Sequence, residues 1–321
     1  MEWKERNIFI TGADGFIGSW LARSLVEKGA NVTLILRDMK KESGIDLQHI
    51  REDVTLVQGD ICDYQTVLRI LNEYAIDTCF HLAAQALVQI ANASPLSTFE
   101  SNIKGTYTIL EACRTTAVNR IVVASSDKAY GSQKTPYTED SPLLGTFPYD
   151  ASKVCADVLA RSYALSYGMP IAVTRNANTY GGGDLNFSRI IPDAIRCVLQ
   201  SKEFIIRSDG SPERDYLYVA DAVSGYLCLA ENVHRKDVQC QAFNFGTQKP
   251  VRVIDVFKKI SELCGRKEAK LKILGTATNE IDRQYLSIEK ARKALGWEPR
   301  HTLEQGLKET IAWYKDYFHI R

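Results

Sequence analysis

The chain has 321 residues, a formal net charge of +1 and eight cysteines. A nearly neutral chain lacks the overall field that attracts nucleic acid or acidic membranes. The cysteines show no CxxC or Cys–His spacing, so we expect reduced thiols in a cytoplasmic protein and no bound metal. Glycines and Asp14 interrupt the apolar stretch near the N-terminus, so we expect neither a signal peptide nor a membrane-spanning segment.

Short β-branched runs alternate with longer amphipathic stretches in the first half of the chain. The predicted strands cover residues 7–11, 32–36, 54–58, 78–82, 121–125 and 171–175. The predicted helices cover residues 17–28, 64–74, 98–115 and 149–167. Such alternation predicts a parallel sheet with helices on both faces, and right-handed crossovers favour a Rossmann-type doubly wound α/β fold.

The alternation loosens after Arg175, where residues 178–184 indicate a loop. Further strands are predicted at 203–206, 242–245 and 270–274, and a helix at 303–317. We therefore predict a dinucleotide-binding Rossmann domain over residues 1–177, to which a segment of about 215–247 returns. A smaller C-terminal α/β substrate-binding lobe would comprise residues 178–214 and 248–321.

A glycine motif with the spacing GxxGxxG joins the first predicted strand to the first helix. Backbone amides at such a helix start can hold a pyrophosphate, so the motif predicts a nicotinamide dinucleotide site. An ordinary strand-to-helix turn is the alternative. The predicted contacts in this segment are Gly12, Asp14, Gly15, Phe16, Ile17 and Gly18.

The end of the second strand discriminates between NAD and NADP. Arg37 stands there, with Lys40 and Lys41 nearby. Arginine at this place pairs with a 2'-phosphate whereas an acidic residue binds the ribose 2'-hydroxyl, so the sequence favours NADP over NAD. Arg37 could instead stack on adenine or point to water. Asp60, after the third strand, is a candidate for the adenine amino group or for the N-cap of the next helix.

Two short segments supply acid–base side chains. Tyr149 and Lys153 are four residues apart on a predicted helix, so they share one face, and the ammonium can lower the phenol pKa. Asp127 and Lys128 end the fifth strand and add a second proton-transfer couple, which alcohol oxidation or 4-epimerisation does not need. In an arbitrary chain this couple would be a surface ion pair. Strand ends of open α/β sheets, however, face the ligand crevice, which favours catalytic roles.

The chain resembles the extended short-chain dehydrogenase/reductase family and, within it, the nucleotide-sugar 4,6-dehydratases. The resemblance rests on the glycine motif, residues 80–85, the Tyr-x-x-x-Lys pair, the segment around Asn178 and residues 294–299. Residues 81–88, 181–184 and 189–193 are similar to the CDP-glucose subgroup, which also carries lysine at position 128 where most dehydratases carry glutamate. Two departures are Ser126 in place of threonine and residues 214–219, which resemble epimerases and decarboxylases.

The resemblance implies a role for each acid–base residue. Tyr149 takes the C4 hydroxyl proton as hydride leaves C4 for the nicotinamide, and Lys153 holds the cofactor ribose. Asp127 protonates the departing C6 hydroxyl, and Lys128, as a neutral amine, removes the C5 proton. Hydride then returns to C6, which gives a 4-keto-6-deoxy sugar nucleotide.

The remaining predicted contacts also come with the resemblance. The cofactor contacts are Asp60, Ile61, Leu82, Ala83, Ala84 and Ser125, together with Tyr149 and Lys153. The substrate contacts are Gln85, Ser126, Asn178, Arg189, Arg214 and Arg283. Guanidinium groups suit a diphosphate, although a single arginine is more often solvated or ion-paired. Ser125 could instead cap the backbone, and Gln85 could be structural. The helices at 98–115 and 149–167 could form a homodimer interface or be buried in a monomer.

The predicted function is therefore that of an NDP-sugar 4,6-dehydratase, similar to the CDP-glucose enzymes, that is, an NAD(P)-dependent lyase. An NDP-sugar 4-epimerase is the first alternative, since it needs only Ser126, Tyr149 and Lys153 and fits residues 214–219. A dinucleotide-binding sensor without catalysis is the second, although a sensor has no use for proton-transfer residues. The expected partners are a nucleotide-diphosphate sugar and a second copy of the chain, not nucleic acid or a membrane.

Overall fold

The computed structural model describes residues 2–38, 42–266, 268–277 and 281–320. The strands β1 to β14 are, in chain order, Asn7–Thr11, Asn31–Leu36, Thr55–Gln58, Thr78–His81, Arg120–Ala124, Ile171–Asn176, Asn178–Tyr180, Phe204–Ile206, Glu213–Arg214, Tyr216–Tyr218, Ala242–Phe245, Val251–Arg252, Leu271–Ile273 and Arg283–Gln284. The helices α1 to α12 are Phe16–Glu27, Gly44–Leu47, Tyr64–Glu73, Val88–Ala93, Pro95–Phe99, Gly105–Thr115, Pro148–Tyr167, Ile190–Leu199, Val219–Asn232, Val253–Leu263, Glu289–Leu295 and Leu303–Tyr317.

A parallel sheet with the strand order β3-β2-β1-β4-β5-β6-β11 forms the centre of the molecule. β1 lies between β2 and β4, so Thr11 at its end faces Ile35 on one side and His81 on the other. The strand order changes direction at β1: β2 and β3 lie on one side of it, and β4 and β5 lie on the other. Ligands of open α/β sheets bind outside the strand ends at such a point. The predicted Rossmann-type doubly wound fold is confirmed.

Both faces of this sheet are covered, which explains the unbroken apolar runs of its strands. Side chains alternate along β1: Ile8 and Ile10 pack with Leu21 of α1, whereas Phe9 packs on the other face with Ile70 of α3. Burial of each such side chain contributes roughly 1.5–3 kcal/mol relative to exposure to water. The sheet therefore holds the strand ends rigidly in register.

Shorter sheets follow in the C-terminal half. β7 pairs with β10, β9 lies between β12 and β14, and β8 pairs with β13. A separate apolar cluster fills this part of the molecule, with the rings of Phe204 and Phe257 stacked 5.1 Å apart. The prediction of a loop was wrong for residues 178–180, because they pair with Tyr216–Tyr218 as a strand. The division of the chain into two domains stays a prediction.

The predicted helix over residues 98–115 is interrupted. A π-helical turn, Glu100–Lys104, joins α5 to α6, and such turns are frequent near functional sites. Its Asn102 is 2 % exposed and donates to Ser152 Oγ at 2.8 Å, while its Oδ1 accepts from the backbone of Gln85 at 2.6 Å. The turn therefore ties the segment after β4 to α7.

A buried ion pair anchors α7 to the sheet. Asp157 of α7 and Arg175 of β6 are at most 1 % exposed and join through two hydrogen bonds, at 2.7 Å and 2.9 Å. Arg175 also donates to the Tyr130 hydroxyl at 2.8 Å and lies over that ring. The pair fixes the helix that carries Tyr149 and Lys153.

The eight cysteines are free thiols. Within the described part of the chain, no helix is both long and apolar enough to cross a membrane. The same residues contain no group of three or more His, Cys, Asp or Glu side chains that could hold a metal ion.

Candidate active site

The turn between β1 and α1 brings the backbone of the glycine motif against the end of β4. Gly12 has a φ of +76°, and a Cβ atom added there would lie 2.7 Å from Ala83 N. A Cβ atom at Gly18 would lie 2.3 Å from the Gly12 carbonyl. Gly15 is the N-cap of α1 and has no side chain to cap the first turn, whose amides therefore suit an anion. The turn fits the pyrophosphate of a dinucleotide.

The other predicted cofactor contacts surround this turn. Residues 82–84 follow β4, where Ala83 N donates to Thr11 Oγ1 at 3.1 Å, and Ile61 is buried after β3. Asp60 is exposed and accepts from Cys62 N at 2.8 Å. The alternative N-cap role for Asp60 was wrong, because Asp63 caps α3 by accepting from Gln65 N at 3.1 Å.

Arg37 directly follows β2. Its Nε donates to Asp38 Oδ2 at 3.1 Å, and both side chains are more than half exposed. The end of β2 thus presents a cation and a carboxylate together, so Arg37 alone no longer distinguishes an NADP site from an NAD site. Lys40 and Lys41 lie outside the described residues.

The sequence after β5 forms a short 3-10 turn, Asp127–Tyr130, whose first polar side chains are largely buried. Ser126 is the N-cap, accepts from Lys128 N at 3.2 Å and donates to Asp127 Oδ1 at 3.1 Å. Asp127 is 3 % exposed and is therefore held away from bulk water. Ser125 donates to the Lys153 carbonyl at 3.2 Å, which supports the backbone-capping alternative for Ser125.

Tyr149 and Lys153 lie in the first turns of α7, next to the 3-10 turn. Lys153 is 6 % exposed and donates to the Ala124 carbonyl at 2.8 Å, and burial lowers its pKa to about 8. Tyr149 is half-buried as a residue, and burial of its hydroxyl raises the Tyr149 pKa to about 12. The Ser126 hydroxyl and the positive charge of Arg189 oppose the rise. The expected lowering of the phenol pKa was therefore wrong for the chain by itself.

Lys128 extends from the 3-10 turn towards residues that are distant in sequence. Its Nζ donates to Gln284 Oε1 at 2.5 Å, to Asp127 Oδ2 at 3.4 Å and to Asn178 Oδ1 at 3.5 Å. Asp127 and Lys128 thus do not form an isolated surface ion pair, because the partly buried Lys128 amine donates to three acceptors. Nearby, burial raises the pKa of Asp150 to about 6, against the attraction of Lys128 and with the repulsion of Asp127.

The predicted phosphate-binding arginines all have partners within the chain. Arg189 pairs with the buried carboxylate of Asp184 at 2.9 Å. Arg214 donates to the Glu213 and Ile281 carbonyls at 2.9 Å and 2.6 Å. The third predicted arginine, Arg283, pairs with the Glu213 side chain at 2.6 Å and lies over the Tyr285 ring. The latter two come from the neighbouring strands β9 and β14, so they are close to each other.

Asn178 and Gln85 are held by hydrogen bonds of different range. Asn178 Nδ2 donates to the Asp215 carbonyl at 3.2 Å, and its Oδ1 accepts from Lys128. Gln85 Oε1 accepts from Leu87 N at 3.2 Å, which is a local contact just before α4. The structure thus joins Asn178 to the acid–base residues, whereas it gives the Gln85 side chain a structural contact.

Sequence reasoning missed two residues of this site. Asp150 lies inside the Tyr-x-x-x-Lys motif, so its position beside a titrating tyrosine was a usable signal. Gln284 follows Arg283 in the chain, and nothing local distinguishes it from a surface glutamine. Its contact with Lys128 spans 156 positions, and only the fold reveals it.

The strand order, the glycine turn and the Tyr149–Lys153 pair define an extended short-chain dehydrogenase/reductase. A family model described as GDP-mannose 4,6 dehydratase matches residues 9–310. The chain therefore belongs to the GDP-mannose 4,6-dehydratase family.

Two curated relatives carry dehydratase names. A trifunctional UDP-glucose 4,6-dehydratase/UDP-4-keto-6-deoxy-D-glucose 3,5-epimerase/UDP-4-keto-L-rhamnose-reductase of Arabidopsis thaliana is 34% identical over 97% of the chain. The chain spans only 47% of that protein, so it corresponds to about half of it. The CDP-glucose 4,6-dehydratase of Salmonella typhimurium is 29% identical, with 98% of this chain and 91% of the relative covered.

Two solved structures are similar over nearly their whole length. The UDP-glucose 4-epimerase of Thermotoga maritima, solved with UDP-glucose, has a TM-score of 0.88 and 28% identity, with 97% of this chain and 99% of that chain covered. The dTDP-glucose 4,6-dehydratase of Bacillus anthracis, solved with NAD, has a TM-score of 0.86 and 26% identity, with 98% of each chain covered. The fold is thus shared by dehydratases and epimerases, and the site must discriminate between them.

Proposed function

We propose that the protein is an NDP-sugar 4,6-dehydratase, a lyase that works with a nicotinamide dinucleotide. The observation that carries this proposal is the Asp127–Lys128 couple, which lies in the same turn as Ser126 and beside α7 with Tyr149. Oxidation at C4 needs one proton acceptor, whereas loss of water across C5 and C6 needs a further base and a further acid. The site contains both sets.

The cofactor would be held by the glycine turn, by the segment after β4 and by Lys153. When bound, the nicotinamide supplies a reversible hydride acceptor. Arg37 suits a 2'-phosphate and Asp38 a 2'-hydroxyl, so we retain NADP as the favoured dinucleotide and NAD as the alternative. Calorimetry tests this preference by measuring the binding of NADP and of NAD to the wild type and to Arg37→Ala. Selective weakening of NADP binding in the variant supports the preference, and equal weakening of NADP and NAD binding contradicts it.

Within the chain, Tyr149 removes the C4 hydroxyl proton, and Ser126 hydrogen-bonds the C4 oxygen. The ketone formed at C4 acidifies the C5 hydrogen. Lys128 takes that proton as a neutral amine, and Asp127 gives a proton to the C6 hydroxyl, which leaves as water. Loss of water leaves a double bond between C5 and C6, and the hydride taken from C4 would return to C6 while C5 takes up a proton, which gives the 4-keto-6-deoxy sugar. The positive charge of an oxidised nicotinamide ring near Tyr149 would lower the raised pKa of the phenol, as the Arg189 charge already does in part.

The substrate would lie between the strand ends and the C-terminal part of the chain. Asn178, Arg189, Arg214 and Arg283 are the proposed diphosphate contacts, and a substrate phosphate would then compete with their present partners. We retain residues 178–214 and 248–321 as the substrate-binding lobe. The lysine at position 128, a feature of the CDP-glucose subgroup that the chain resembles, favours a CDP-hexose as the substrate. The 34% identity to the Arabidopsis protein makes a UDP-hexose the alternative.

The function is tested by incubating purified protein with CDP-, dTDP-, UDP- and GDP-hexoses. A 4-keto-6-deoxy product with one of them supports the proposal, and the preferred nucleotide identifies the base. A sugar nucleotide that keeps its C6 hydroxyl but is inverted at C4 establishes the second candidate, a 4-epimerase, which the similarity to the Thermotoga enzyme favours. Bound cofactor without turnover on any of these substrates would indicate a sensor.

We also propose a homodimer formed by α6 and α7. Exposed apolar and aromatic side chains line these helices: Tyr107 on α6 and Val158, Leu165 and Tyr167 on α7, with Leu165 79% exposed. Contiguous exposed apolar surface marks interaction sites. Light scattering of Leu165→Glu should show a lower mass than that of the wild type, and equal monomer masses for both would contradict the proposal.

A further inference from the structure

Gln284 of β14 contacts both members of the Asp127–Lys128 couple. The residue is 1 % exposed. Its Oε1 accepts from Lys128 Nζ at 2.5 Å, and its Nε2 donates to the Asp127 carbonyl oxygen at 3.3 Å. Both polar atoms of the buried amide therefore bind the Asp127–Lys128 dipeptide, which is about 156 positions away in the chain.

The backbone of Gln284 is fixed as well. It lies opposite Arg214 in the β9–β14 pair, and its carbonyl accepts from Asp215 N at 3.1 Å. The Asp215 carbonyl in turn accepts from Asn178, whose Oδ1 accepts from Lys128. A closed ring of hydrogen bonds thus runs from Lys128 through Gln284, Asp215 and Asn178 back to Lys128.

Several titratable groups lie around the Lys128 amine. Asp127 Oδ2 lies 3.4 Å away, and Asp150 in the first turn of α7 interacts with Lys128 through its charge. Tyr149 and Tyr137 are further titratable groups, and both interact with Asp127. Gln284 is the acceptor nearest to the amine and is neutral. A neutral acceptor holds an amine in place without the negative charge that would bind its proton more tightly.

We propose that Gln284 is a positioning residue for Lys128. Its amide oxygen holds the amine through a neutral contact, so that Lys128 can lose its proton and act as the base at C5. The role of Gln284 in turnover rests on the proposed dehydratase function. Because β14 pairs with β9, the same residue links Lys128 to the strand that carries Arg214, a proposed diphosphate contact.

Two substitutions separate positioning from packing. Gln284→Glu keeps the shape and adds a negative charge, whereas Gln284→Leu keeps the volume and removes the acceptor. Gln241→Glu is the matched control, since Gln241 Oε1 accepts from Lys290 Nζ at 2.8 Å just before β11, outside the site. Thermal unfolding checks that all three variants are folded.

The first measurement follows the amine without turnover. Lys128 is labelled with acetic anhydride over a range of pH, and the labelled peptide is quantified by mass spectrometry. In Gln284→Glu the midpoint of labelling at Lys128 should move up by at least one pH unit, because an opposite charge at this distance shifts a titration by about 1–3 units. Gln241→Glu should leave the Lys128 midpoint unchanged. An unchanged Lys128 midpoint in folded Gln284→Glu would overturn the proposal.

The second measurement uses turnover. At about pH 8, kcat for water loss should fall at least tenfold in Gln284→Glu, with KM within about twofold of the wild type, and the pH profile should move up by the same amount as the labelling midpoint. Equal losses in Gln284→Glu and Gln284→Leu with unshifted profiles would show a purely structural role. If the wild type makes a 4-epimer instead, the dehydratase function fails, while the labelling of Lys128 still decides whether Gln284 controls the amine.

Discussion

The two lysines of the candidate active site are held in different ways. Lys153 is almost fully buried and donates to one carbonyl, that of Ala124, and its burial lowers its pKa. Lys128 is 26 % exposed at its side chain and donates to acceptors from three segments of the chain. The first is built by neighbouring elements, β5 and α7, and the second by long-range contacts. The Asp127–Lys128 couple, which we propose discriminates a dehydratase from an epimerase, is therefore the less local part of the site.

The largest expected effect concerns the Lys153 side of the site. Tyr149→Phe removes the phenol oxygen that, as a phenolate, is proposed to accept the C4 hydroxyl proton, so kcat should fall by about 10²–10⁴-fold while the fold is kept. Steady-state kinetics with the preferred NDP-hexose measures the loss. Tyr64→Phe, on α3 and half-buried away from the site, is the control and should retain wild-type kcat. Equal activity of Tyr149→Phe and the wild type would remove Tyr149 from its role.

The anchoring of α7 can be broken at the buried ion pair. Arg175→Leu leaves the buried Asp157 carboxylate with only the partly exposed Arg161, 2.9 Å away, as a cationic partner, so the free energy of unfolding should fall by about 3 kcal/mol. Urea unfolding measures this fall. Arg235→Leu, which breaks the exposed pair with Asp237, should change stability by less than about 1 kcal/mol. Equal effects of the two variants would contradict the anchoring role.

The Lys128 side is tested by removal of the neighbouring acid. Asp127→Asn should slow water loss by about 100-fold while C4 oxidation persists, so reduced nicotinamide should accumulate during turnover and be visible by fluorescence. Asp237→Asn is the control at an exposed ion pair. A variant with normal turnover, or one that loses C4 oxidation to the same extent, would contradict the division of roles.

The smallest expected effect is on the pH dependence of stability. The folded protein raises the Asp150 pKa from 3.8 to about 6, so it binds this proton more tightly than the unfolded chain does. Stability should therefore fall as pH rises from about 4 to about 6. Asp150→Asn should remove this fall and be more stable than the wild type at neutral pH by about 1–2 kcal/mol. Parallel stability curves for both proteins would contradict it.

The sequence predicted those features that short segments encode. The glycine motif, the Tyr149–Lys153 spacing and the strand–helix alternation depend on neighbours within a few residues, and they identified the fold and the cofactor turn. Features created by tertiary contacts were missed or changed. Gln284 reaches Lys128 across 156 positions, and residues 178–180 become a strand only because β10 lies beside them. Burial raises the Tyr149 pKa, which the spacing to Lys153 had predicted to fall.

The central claim is tested most directly with an NDP-hexose that carries deuterium at C4. In turnover by a dehydratase, the deuterium moves to C6, water is lost, and C5 takes up a proton from solvent. The account predicts a 4-keto-6-deoxy product with deuterium at C6, observed by mass spectrometry and NMR. A product that keeps its C6 hydroxyl and carries the deuterium at an inverted C4 would contradict the account.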